Sequence, residues 1–496
     1  MSIWKAIGKS ISVGSKISSR LSNGIANSAN NVQNKTSFKA KKAGYILAGD
    51  KIGYDLAGLN DYSSLLLPNQ LNSVDLSRLS NGSMTLGNMY NPRKPDNKYS
   101  FSIYDSDVFQ HSLLIAPSGS GKTYGVIIPA MYSLLEKGYR VVANDVKGDL
   151  ISQLQAYKSS ISSNLKFPLF IWNPFDSGNT KCWNPLNEIS SINDDTMIRN
   201  IVDAIIGSDS SQGPQNSHFV ERDKRWLSGL IKLIKKEKSN ATLSDIYHLV
   251  NNQVNLEAKI NLQSAPIISG LNDLADSNNA HFVAGLANKL SIFGRSEVSF
   301  ATSRSDFTID YIIKNPGLII IGSPLYEGDE AFKAASIFFS VMRAKIYKNG
   351  SLNISNCWLI DEAGEIAPRL EMYRDFATLR SYNVGIFLSI QELMQLGKDE
   401  YKKYVANCAN KILLNGVDFE SAEFFSKTLG NKQVVQTTKS IDYRNKSTWS
   451  HGNQTVSVLG TTEIMHYPGE FGTHSGIFFN QNIINSPILL DFSRKV

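Results

Sequence analysis

Cysteine is scarce in this sequence of 496 residues, which contains three of them. Their number is odd, and they are not spaced as the pairs that hold a structural metal ion. This excludes a disulfide-stapled framework of the kind that small secreted domains need. We expect small, buried apolar side chains in a reducing, cytosolic setting at Cys182, Cys357 and Cys408.

Long hydrophobic runs are also missing. No stretch approaches the roughly 18 consecutive apolar residues that a membrane-spanning helix needs. The amino terminus has no compact apolar core followed by a small-residue cleavage site. We therefore expect a protein that is neither secreted nor membrane-spanning and that works in the cytoplasm.

Acidic residues are absent from the first 49 positions, where eight lysines and arginines precede the first acid, Asp50. Apolar residues recur there at helical spacing, from Trp4 to Ile11 and from Ile17 to Ile25, as in a basic amphipathic helix. Such a helix binds an anionic membrane or DNA, whereas the Ser, Asn and Gly content fits a mobile basic tail equally well. Peripheral contact of residues 1–43 with the inner face of the cytoplasmic membrane is thus one of three alternatives.

Short apolar runs alternate with helical stretches from residue 112 onward. Most of these runs are nearly continuous Val, Ile, Leu and Phe, which is typical of strands buried on both faces. The alternation predicts an α/β fold with a mostly parallel sheet and helices on both sides. The predicted strands are Ser112–Ala116, Tyr139–Asn144, Pro168–Trp172, Gly317–Gly322, Trp358–Asp361, Val384–Ile390 and Lys411–Asn415.

The alternation stops between Asn187 and about Glu297, where helical periodicity takes over. Within residues 218–238, apolar residues such as Trp226 and Leu230 form one stripe while charges fill the other face. We predict an all-α domain inserted into the α/β domain. The predicted divisions are a basic segment at 1–50, a part leading into the α/β domain at 51–110, that domain at 111–187 and 298–496 with a carboxyl-terminal extension, and the insertion at 188–297.

Residues 116–123 read APSGSGKT and match the phosphate-binding P-loop, except that alanine stands where the first glycine is usual. The loop follows the apolar run SLLIA and precedes a helical stretch, which is the context that the motif requires. Backbone N–H groups of such a loop bind phosphate oxygens, Lys122 bridges the β- and γ-phosphates, and the Thr123 hydroxyl binds Mg²⁺. The predicted ATP-binding residues are Ala116, Pro117, Ser118, Gly119, Ser120, Gly121, Lys122 and Thr123.

A second motif, CWLIDEAGEI at residues 357–366, is an apolar strand that ends in two adjacent acids. We expect its carboxyl end to lie beside the P-loop. At its carboxyl end, Asp361 would hold Mg²⁺ through water and Glu362 would polarise the water that attacks the γ-phosphate.

Two further residues are candidates for nucleotide sensing. The run VGIFLSIQ ends in Gln391, whose amide is placed to contact the γ-phosphate and the attacking water. Arg380 stands eleven residues earlier, and its guanidinium suits a role at the nucleotide of an adjacent subunit.

In this order, the motifs resemble the type IV coupling proteins, the TraG/TraD-like ATPases of conjugation and type IV secretion. The likeness covers most of residues 110–430. After the P-loop it includes an Asp-x-Lys-Gly-acid turn in VVANDVKGDL, with Lys147 as its lysine, and paired Asn-Pro turns around Asn173 and Asn184. Lys122, Thr123, Asp361, Glu362, Arg380 and Gln391 fall on the family's nucleotide-handling positions.

The resemblance implies a RecA-like nucleotide-binding domain with an inserted all-α domain, assembled as a hexameric ring with ATP sites between subunits. It further implies Mg²⁺ as the metal, DNA or a relaxase–DNA complex as cargo, and type IV secretion components as partners. Most family members begin with transmembrane helices, which this sequence lacks, and their carboxyl-terminal motif is reduced here to VSVLGTTEI at residues 456–464. Ala116 is tolerated in place of glycine provided that its φ is not positive.

Two other functions remain open on the sequence alone. One is a DNA-pumping ATPase of the FtsK/HerA kind that has no link to secretion. The other is an adaptor that binds nucleotide without hydrolysing it and recruits protein effectors through the helical domain, although intact Glu362 and Gln391 argue against it.

Overall fold

The computed structural model describes residues 79–89, 99–160, 167–207, 217–262, 271–274, 279–441, 447–470, 474–480, 482–483 and 486–492. The basic segment at residues 1–50 lies outside the described residues. No helix in the described part of the chain is long and apolar enough to cross a membrane.

The structure contains thirteen strands in its described residues. They are β1 Met84–Met89, β2 Tyr99–Ile103, β3 Ser112–Ile115, β4 Arg140–Asp145, β5 Leu169–Trp172, β6 Gly317–Gly322, β7 Asn356–Ile360, β8 Val384–Ile390, β9 Asn410–Leu414, β10 Asn431–Ile441, β11 Ser447–Ser457, β12 Ser475–Phe479 and β13 Ile488–Asp491.

The α-helices of the same described residues are α1 Asp105–Val108, α2 Ile128–Glu136, α3 Asp149–Ser160, α4 Asp195–Ile206, α5 Ser217–Glu237, α6 Leu243–Val250, α7 Gln253–Asn261, α8 Ala280–Lys289, α9 Ser296–Ala301, α10 Ile309–Lys314, α11 Asp329–Asn349, α12 Ala363–Arg369, α13 Phe376–Ser381, α14 Tyr401–Asn407, α15 Phe419–Leu429 and α16 Thr461–Glu470. A π-helical turn, Thr123–Ile127, leads into α2.

Eleven strands form one sheet in the order β2-β1-β13-β12-β9-β3-β8-β7-β4-β6-β5. The seven from β9 to β5 are parallel, and they are the seven strands that the apolar runs predict. The α/β prediction is therefore confirmed. The sequence did not predict β1, β2, β12 and β13, which extend the sheet antiparallel beyond β9.

One strand separates the strand that ends in the acidic pair, β7, from the P-loop strand β3. That strand is β8, which pairs with β3 on one side and with β7 on the other. All three strands are buried along their length. Their carboxyl ends meet at one edge of the sheet, since parallel strands point the same way.

The described residues between β5 and β6 contain helices and turns but no strand. Helix α5 has the predicted apolar stripe, in which Trp226, Leu227 and Leu230 are fully buried. Helix α6 begins with a capping box between Thr242 and Asp245, which satisfies backbone donors at its first turn. The boundaries of an inserted helical domain at 188 and 297 stay a prediction.

The chain divides into two compact units. The described part of the smaller unit is residues 423–441 and 447–461, and the larger unit contains the other described residues. Within the smaller unit, β10 and β11 form a two-stranded antiparallel hairpin in a register that pairs Asn431 with Ser457.

Candidate nucleotide-binding site

The P-loop lies between β3 and the helical turn at Thr123. Two of its glycines have a positive φ, 78° at Gly119 and 82° at Gly121, a conformation that strains any other residue. Ala116 is fully buried and is not among the residues with a positive φ. The alanine therefore fits at this position, as the sequence analysis required.

The histidine at 474 lies directly over this loop, and nothing in the sequence predicted it. A Cβ added to Gly121 would come within 2.7 Å of the His474 ring nitrogen Nδ1, so a side chain there would require the ring to shift. The loop also carries a polar atom that lacks a partner. The Ser120 hydroxyl is buried and makes no hydrogen bond to the described residues, whereas its N–H donates to the Pro117 carbonyl at 3.3 Å. An unsatisfied buried hydroxyl in a P-loop fits a phosphate oxygen as its acceptor.

The acidic pair that follows β7 contacts the end of the P-loop. Lys122 Nζ lies 2.9 Å from Glu362 Oε1 and 3.3 Å from Asp361 Oδ1. The Thr123 hydroxyl donates to Asp361 Oδ2 at 3.1 Å. All four side chains are at least nine-tenths buried, so their charges interact with little screening by water. The structure thus brings together the four residues predicted to act on the phosphates and the metal.

Glu362 is held in a strained conformation. Its backbone is left-handed, with φ 50° and ψ 47°, which costs a non-glycine residue about 1–2 kcal/mol. Burial raises the pKa of its carboxyl group, but the hydrogen bond and charge of Lys122, together with the Gln391 hydrogen bond and the Lys147 charge, outweigh burial and leave the pKa below its usual range. The Gln391 amide donates to Glu362 Oε2 at 3.1 Å, so the predicted sensor lies beside the predicted water-polarising acid.

Asp361 has further partners that the sequence did not reveal. The Ser389 hydroxyl donates to Asp361 Oδ1 at 3.0 Å, and the N–H of Glu362 donates to the same oxygen at 3.0 Å. Asn144 donates to the Asp361 carbonyl at 3.2 Å and accepts from the Ser323 hydroxyl at 2.7 Å. A polar residue within the apolar run VGIFLSIQ was the available signal for Ser389, but only the order of the strands gives it a partner.

The same atoms suit Mg²⁺. In P-loop proteins this ion is held by the loop hydroxyl, a carboxylate reached through water, and the phosphates themselves. Thr123 Oγ1 and Asp361 Oδ2 face each other across 3.1 Å and are both buried. No cluster of three or more His, Cys, Asp or Glu side chains able to hold a metal occurs in the described part of the chain, and a site of this kind does not need one.

Arg380 does not join this cluster. It is exposed on α13, which precedes β8, whereas Gln391 follows the other end of that strand. Seven residues of strand separate the two by more than about 20 Å at roughly 3.3 Å per residue. Arg380 lies instead near the start of β3, where its charge acts on His111.

Comparison with known proteins points to one family. The family described as type IV secretory system conjugative DNA transfer matches residues 69–462. Protein VirD4 of Rhizobium radiobacter is 24% identical over 381 residues, which are 69% of this chain and 51% of VirD4. Conjugal transfer protein TraG of Escherichia coli is 20% identical over 66% of this chain and 56% of its own. The chain therefore spans about half the length of the curated relatives it matches.

Solved structures share the fold. The plasmid coupling protein TrwB, in complex with the non-hydrolysable ATP analogue ADPNP, superposes with a TM-score of 0.60 at 18% identity, over 86% of this chain and 93% of TrwB. A second TrwB structure, with ADP and Mg²⁺, has a TM-score of 0.56 at 18% identity over the same shares of the two chains. At this identity the likeness shows a RecA-like α/β fold.

Proposed function

The chain belongs to the type IV secretory system conjugative DNA transfer family, and we propose that it is an ATP-hydrolysing coupling protein that drives DNA, or a relaxase–DNA complex, to a type IV secretion channel. The observation that carries the proposal is the buried contact of Lys122 and Thr123 with Asp361 and Glu362. These are the groups that phosphoryl transfer from a nucleoside triphosphate requires. TrwB, which shares the fold, holds ADPNP in one structure and ADP with Mg²⁺ in another.

ATP would occupy the loop from Ala116 to Thr123, with the orphaned Ser120 hydroxyl among its phosphate donors. Thr123 and Asp361 would hold Mg²⁺, which neutralises the β- and γ-phosphates when bound. Lys122 would turn from Glu362 toward the phosphates and stabilise the charge that develops on them. Glu362 is then free to orient the attacking water and accept its proton.

Gln391 would report the loss of the γ-phosphate. Its amide bonds to Glu362 Oε2, and its backbone N–H is held by the Gln395 side chain at 2.8 Å. A change at the γ-phosphate would therefore be transmitted to the loop after β8. In a motor, such a loop movement is passed to the substrate.

Arg380 would act on the nucleotide of a neighbouring subunit. Its place beyond the opposite edge of the sheet keeps it away from its own P-loop. The family resemblance implies a ring of six subunits. In such a ring this exposed guanidinium would reach the nucleotide site of the neighbouring subunit, where its positive charge would stabilise the transition state.

DNA would be bound through its phosphates, without sequence preference and with strong salt dependence. The formal charge of +7 favours such a partner. The same proposal includes two further contacts. One is contact of the protein with secretion components, and the other is contact of residues 1–43 with an anionic membrane.

The test is phosphate release by the purified full chain with Mg·ATP, with and without single- or double-stranded DNA. We expect turnover that DNA stimulates, complete loss in Lys122→Ala, and no change in Lys137→Ala, an exposed lysine outside the site. A folded chain that retains no adenine nucleotide would refute the proposal. ATP hydrolysis that DNA stimulates would distinguish the motor from a non-hydrolysing adaptor. Activity that depends on secretion components would distinguish it from a DNA-pumping ATPase with no link to secretion.

A mixing experiment tests the arginine. Arg380→Ala should lower turnover without abolishing nucleotide binding, and mixing it with Lys122→Ala should restore part of the activity. In mixed rings, a Lys122→Ala subunit supplies an intact Arg380 to the intact P-loop of its neighbour. Absence of any recovery in confirmed mixed assemblies would contradict action between subunits.

A further inference from the structure

The turn after β4 has no role in the reaction described so far, although its sequence, DVKGD, is part of the family resemblance. The buried carboxylate of Asp145 fixes the turn by accepting the N–H of Gly148 at 2.8 Å and of Ile151 at 3.0 Å. Gly148 has a φ of 79°, which a residue with a side chain adopts only under strain. The turn is thus a rigid support for the residue at its tip, Lys147.

Lys147 points at the water-polarising acid. Its Nζ lies 3.3 Å from Glu362 Oε1, the same oxygen that Lys122 contacts at 2.9 Å. The lysine side chain is 37% exposed, against 9% for that of Glu362. Both border a cavity of about 240 Å³ that Ser118 and Gln391 also line. Two ammonium groups from different elements therefore share one carboxylate oxygen.

Lys122 and Lys147 would take different roles once a triphosphate binds. Lys122 ends the P-loop, and its proposed place during turnover is on the phosphates. Its departure would leave a buried carboxylate with one amide donor from Gln391, and an uncompensated buried charge is costly. Among the described residues, Lys147 is the other cation in contact with Glu362. Lys147 lies on a turn that Asp145 fixes outside the P-loop, so phosphate binding to the loop does not draw Lys147 away from Glu362.

We propose that Lys147 is a positioning residue for Glu362: it holds the carboxylate in place after Lys122 has turned to the nucleotide. The inference rests on the proposed function, because it presumes that Glu362 orients water. It gives the Asp-x-Lys-Gly-acid turn a mechanical purpose, which is to present a second ammonium group to the acid at the end of β7.

The kinetic test compares Lys147→Met and Lys147→Arg with Lys137→Met, an exposed lysine distant from the turn. We expect kcat to fall about 10- to 100-fold in Lys147→Met, since a reacting group displaced by about 1 Å costs up to about 100-fold. The dissociation constants for ADP and for a non-hydrolysable ATP analogue should stay within about threefold, because Lys147 does not hold phosphate. Lys147→Arg keeps the charge and should recover most of kcat, which loss of a merely structural contact would not explain.

A second measurement does not need turnover. A double-mutant cycle of Lys147→Met and Glu362→Gln, read by thermal unfolding, should show coupling in the free protein and larger coupling with the ATP analogue bound, when Lys122 has left Glu362. If wild-type protein hydrolyses no ATP, the proposed function fails while the cycle still decides this inference. Unchanged or raised kcat in Lys147→Met, selective weakening of the ATP analogue relative to ADP, or absence of coupling would each overturn it.

Discussion

The two edges of the parallel sheet both bury polar side chains, but they satisfy them differently. At the carboxyl edge, Lys122, Asp361 and Glu362 bond mainly to one another's side chains. At the amino edge, the His111 ring bonds to backbone groups, and the Asn410 amide donates to two backbone carbonyls in addition to its bonds with the Ser112 and Asn480 side chains. His111 Nε2 contacts the Phe376 carbonyl at 2.9 Å, and its Nδ1 accepts the Ile386 N–H at 3.0 Å.

This difference separates a reactive site from a structural one. A side-chain partner can rotate away when a ligand offers a better one, as Lys122 must do when phosphate binds. A backbone partner cannot leave without moving the strand, helix or turn to which it belongs. Buried charge alone is therefore a weak sign of function, whereas buried charges paired through mobile side chains at a strand's carboxyl end are a strong one. Substitutions at the first edge should alter chemistry, and substitutions at the second should alter stability.

The largest effect is expected at the carboxyl edge. Glu362→Gln keeps the shape and the hydrogen bond to Gln391 but removes the base, so kcat should fall by about 10²- to 10⁴-fold. Nucleotide binding should persist, because the P-loop is unchanged. Steady-state phosphate release and equilibrium binding of an ATP analogue measure the two quantities.

The control for this variant is Glu365→Gln, which neutralises a nearby acid in α12 that makes no described contact with Lys122. It should keep most of the activity. Full turnover in Glu362→Gln would show that another group activates water and would remove the contrast between the two edges.

At the amino edge, Asn410→Ala should destabilise the fold and leave the chemistry intact. The Asn410 amide donates to the carbonyls of Asp107 at 2.7 Å and His111 at 3.0 Å, and it accepts from Asn480 at 2.8 Å. Removing it takes one of the donors from each carbonyl and leaves the buried Asn480 amide without this acceptor, at a cost of about 3 kcal/mol in the free energy of unfolding. Denaturant unfolding gives that value, and kcat per folded molecule should equal that of the wild type.

Asn407→Ala is the matched control, since this exposed asparagine also donates to a backbone carbonyl, that of Lys403 at 2.7 Å. Its loss should cost far less, because water replaces the bond. Equal destabilisation by the two substitutions would contradict a special role for the amino edge.

The sequence predicts some strands of the sheet better than others. The seven parallel strands are predictable because burial on both faces demands unbroken apolar runs. Strand β1, MTLGNM, mixes polar residues with apolar ones and includes Gly87, so its place in the sheet depends on partners distant in the sequence. Strand β12 pairs with β13 and with β9, which no local pattern reveals.

The candidate site shows the same division. Lys122, Glu362 and Gln391 are predictable because each follows an apolar run in a recognisable motif. The bonds of Ser389 and Asn144 to Asp361 are not, because they depend on β8 and β4 flanking β7. The left-handed backbone of Glu362 is likewise set by tertiary contacts.

The histidine at the amino edge makes stability depend on pH. Burial lowers the pKa of His111 to about 4 from its ordinary value of 6.5, against the opposing hydrogen bond to Phe376. The unfolded chain binds the proton below pH 6.5 and the native chain does not, so stability is complete above pH 6.5 and falls as pH drops toward 4. The loss should reach about 3 kcal/mol at pH 4, at 1.36 kcal/mol per pKa unit.

Carboxylates titrate in the same pH range as His111. Comparing the pH dependence of unfolding in the wild type and in His111→Asn separates the contribution of this histidine from theirs. Asparagine tolerates the left-handed backbone at this position, where φ is 61°, and does not titrate. Unfolding measured from pH 7 to pH 4 should fall less steeply in this variant than in the wild type. His248→Asn, which replaces an exposed histidine, should leave the slope unchanged, and equal slopes for all three proteins would contradict the assignment.

The smallest effect is expected from a residue that supports the carboxyl edge without touching ligand. Ser389→Ala removes one donor to Asp361 Oδ1 and leaves the N–H of Glu362 and the ammonium group of Lys122 in place. Groups that orient a metal-binding carboxylate typically change metal affinity by about tenfold or more. We expect the Mg²⁺ concentration for half-maximal turnover to rise by about that factor while kcat at saturating Mg²⁺ stays near the wild-type value.

The matched control is Ser340→Ala, which also removes a buried hydroxyl. That hydroxyl donates to the Asn200 carbonyl at 3.0 Å and lies outside the site, so this variant should leave the Mg²⁺ dependence unchanged. A similar shift in both variants would mean that it reflects general loosening of the fold, and the orientation of Asp361 would then depend on the backbone, as at the amino edge.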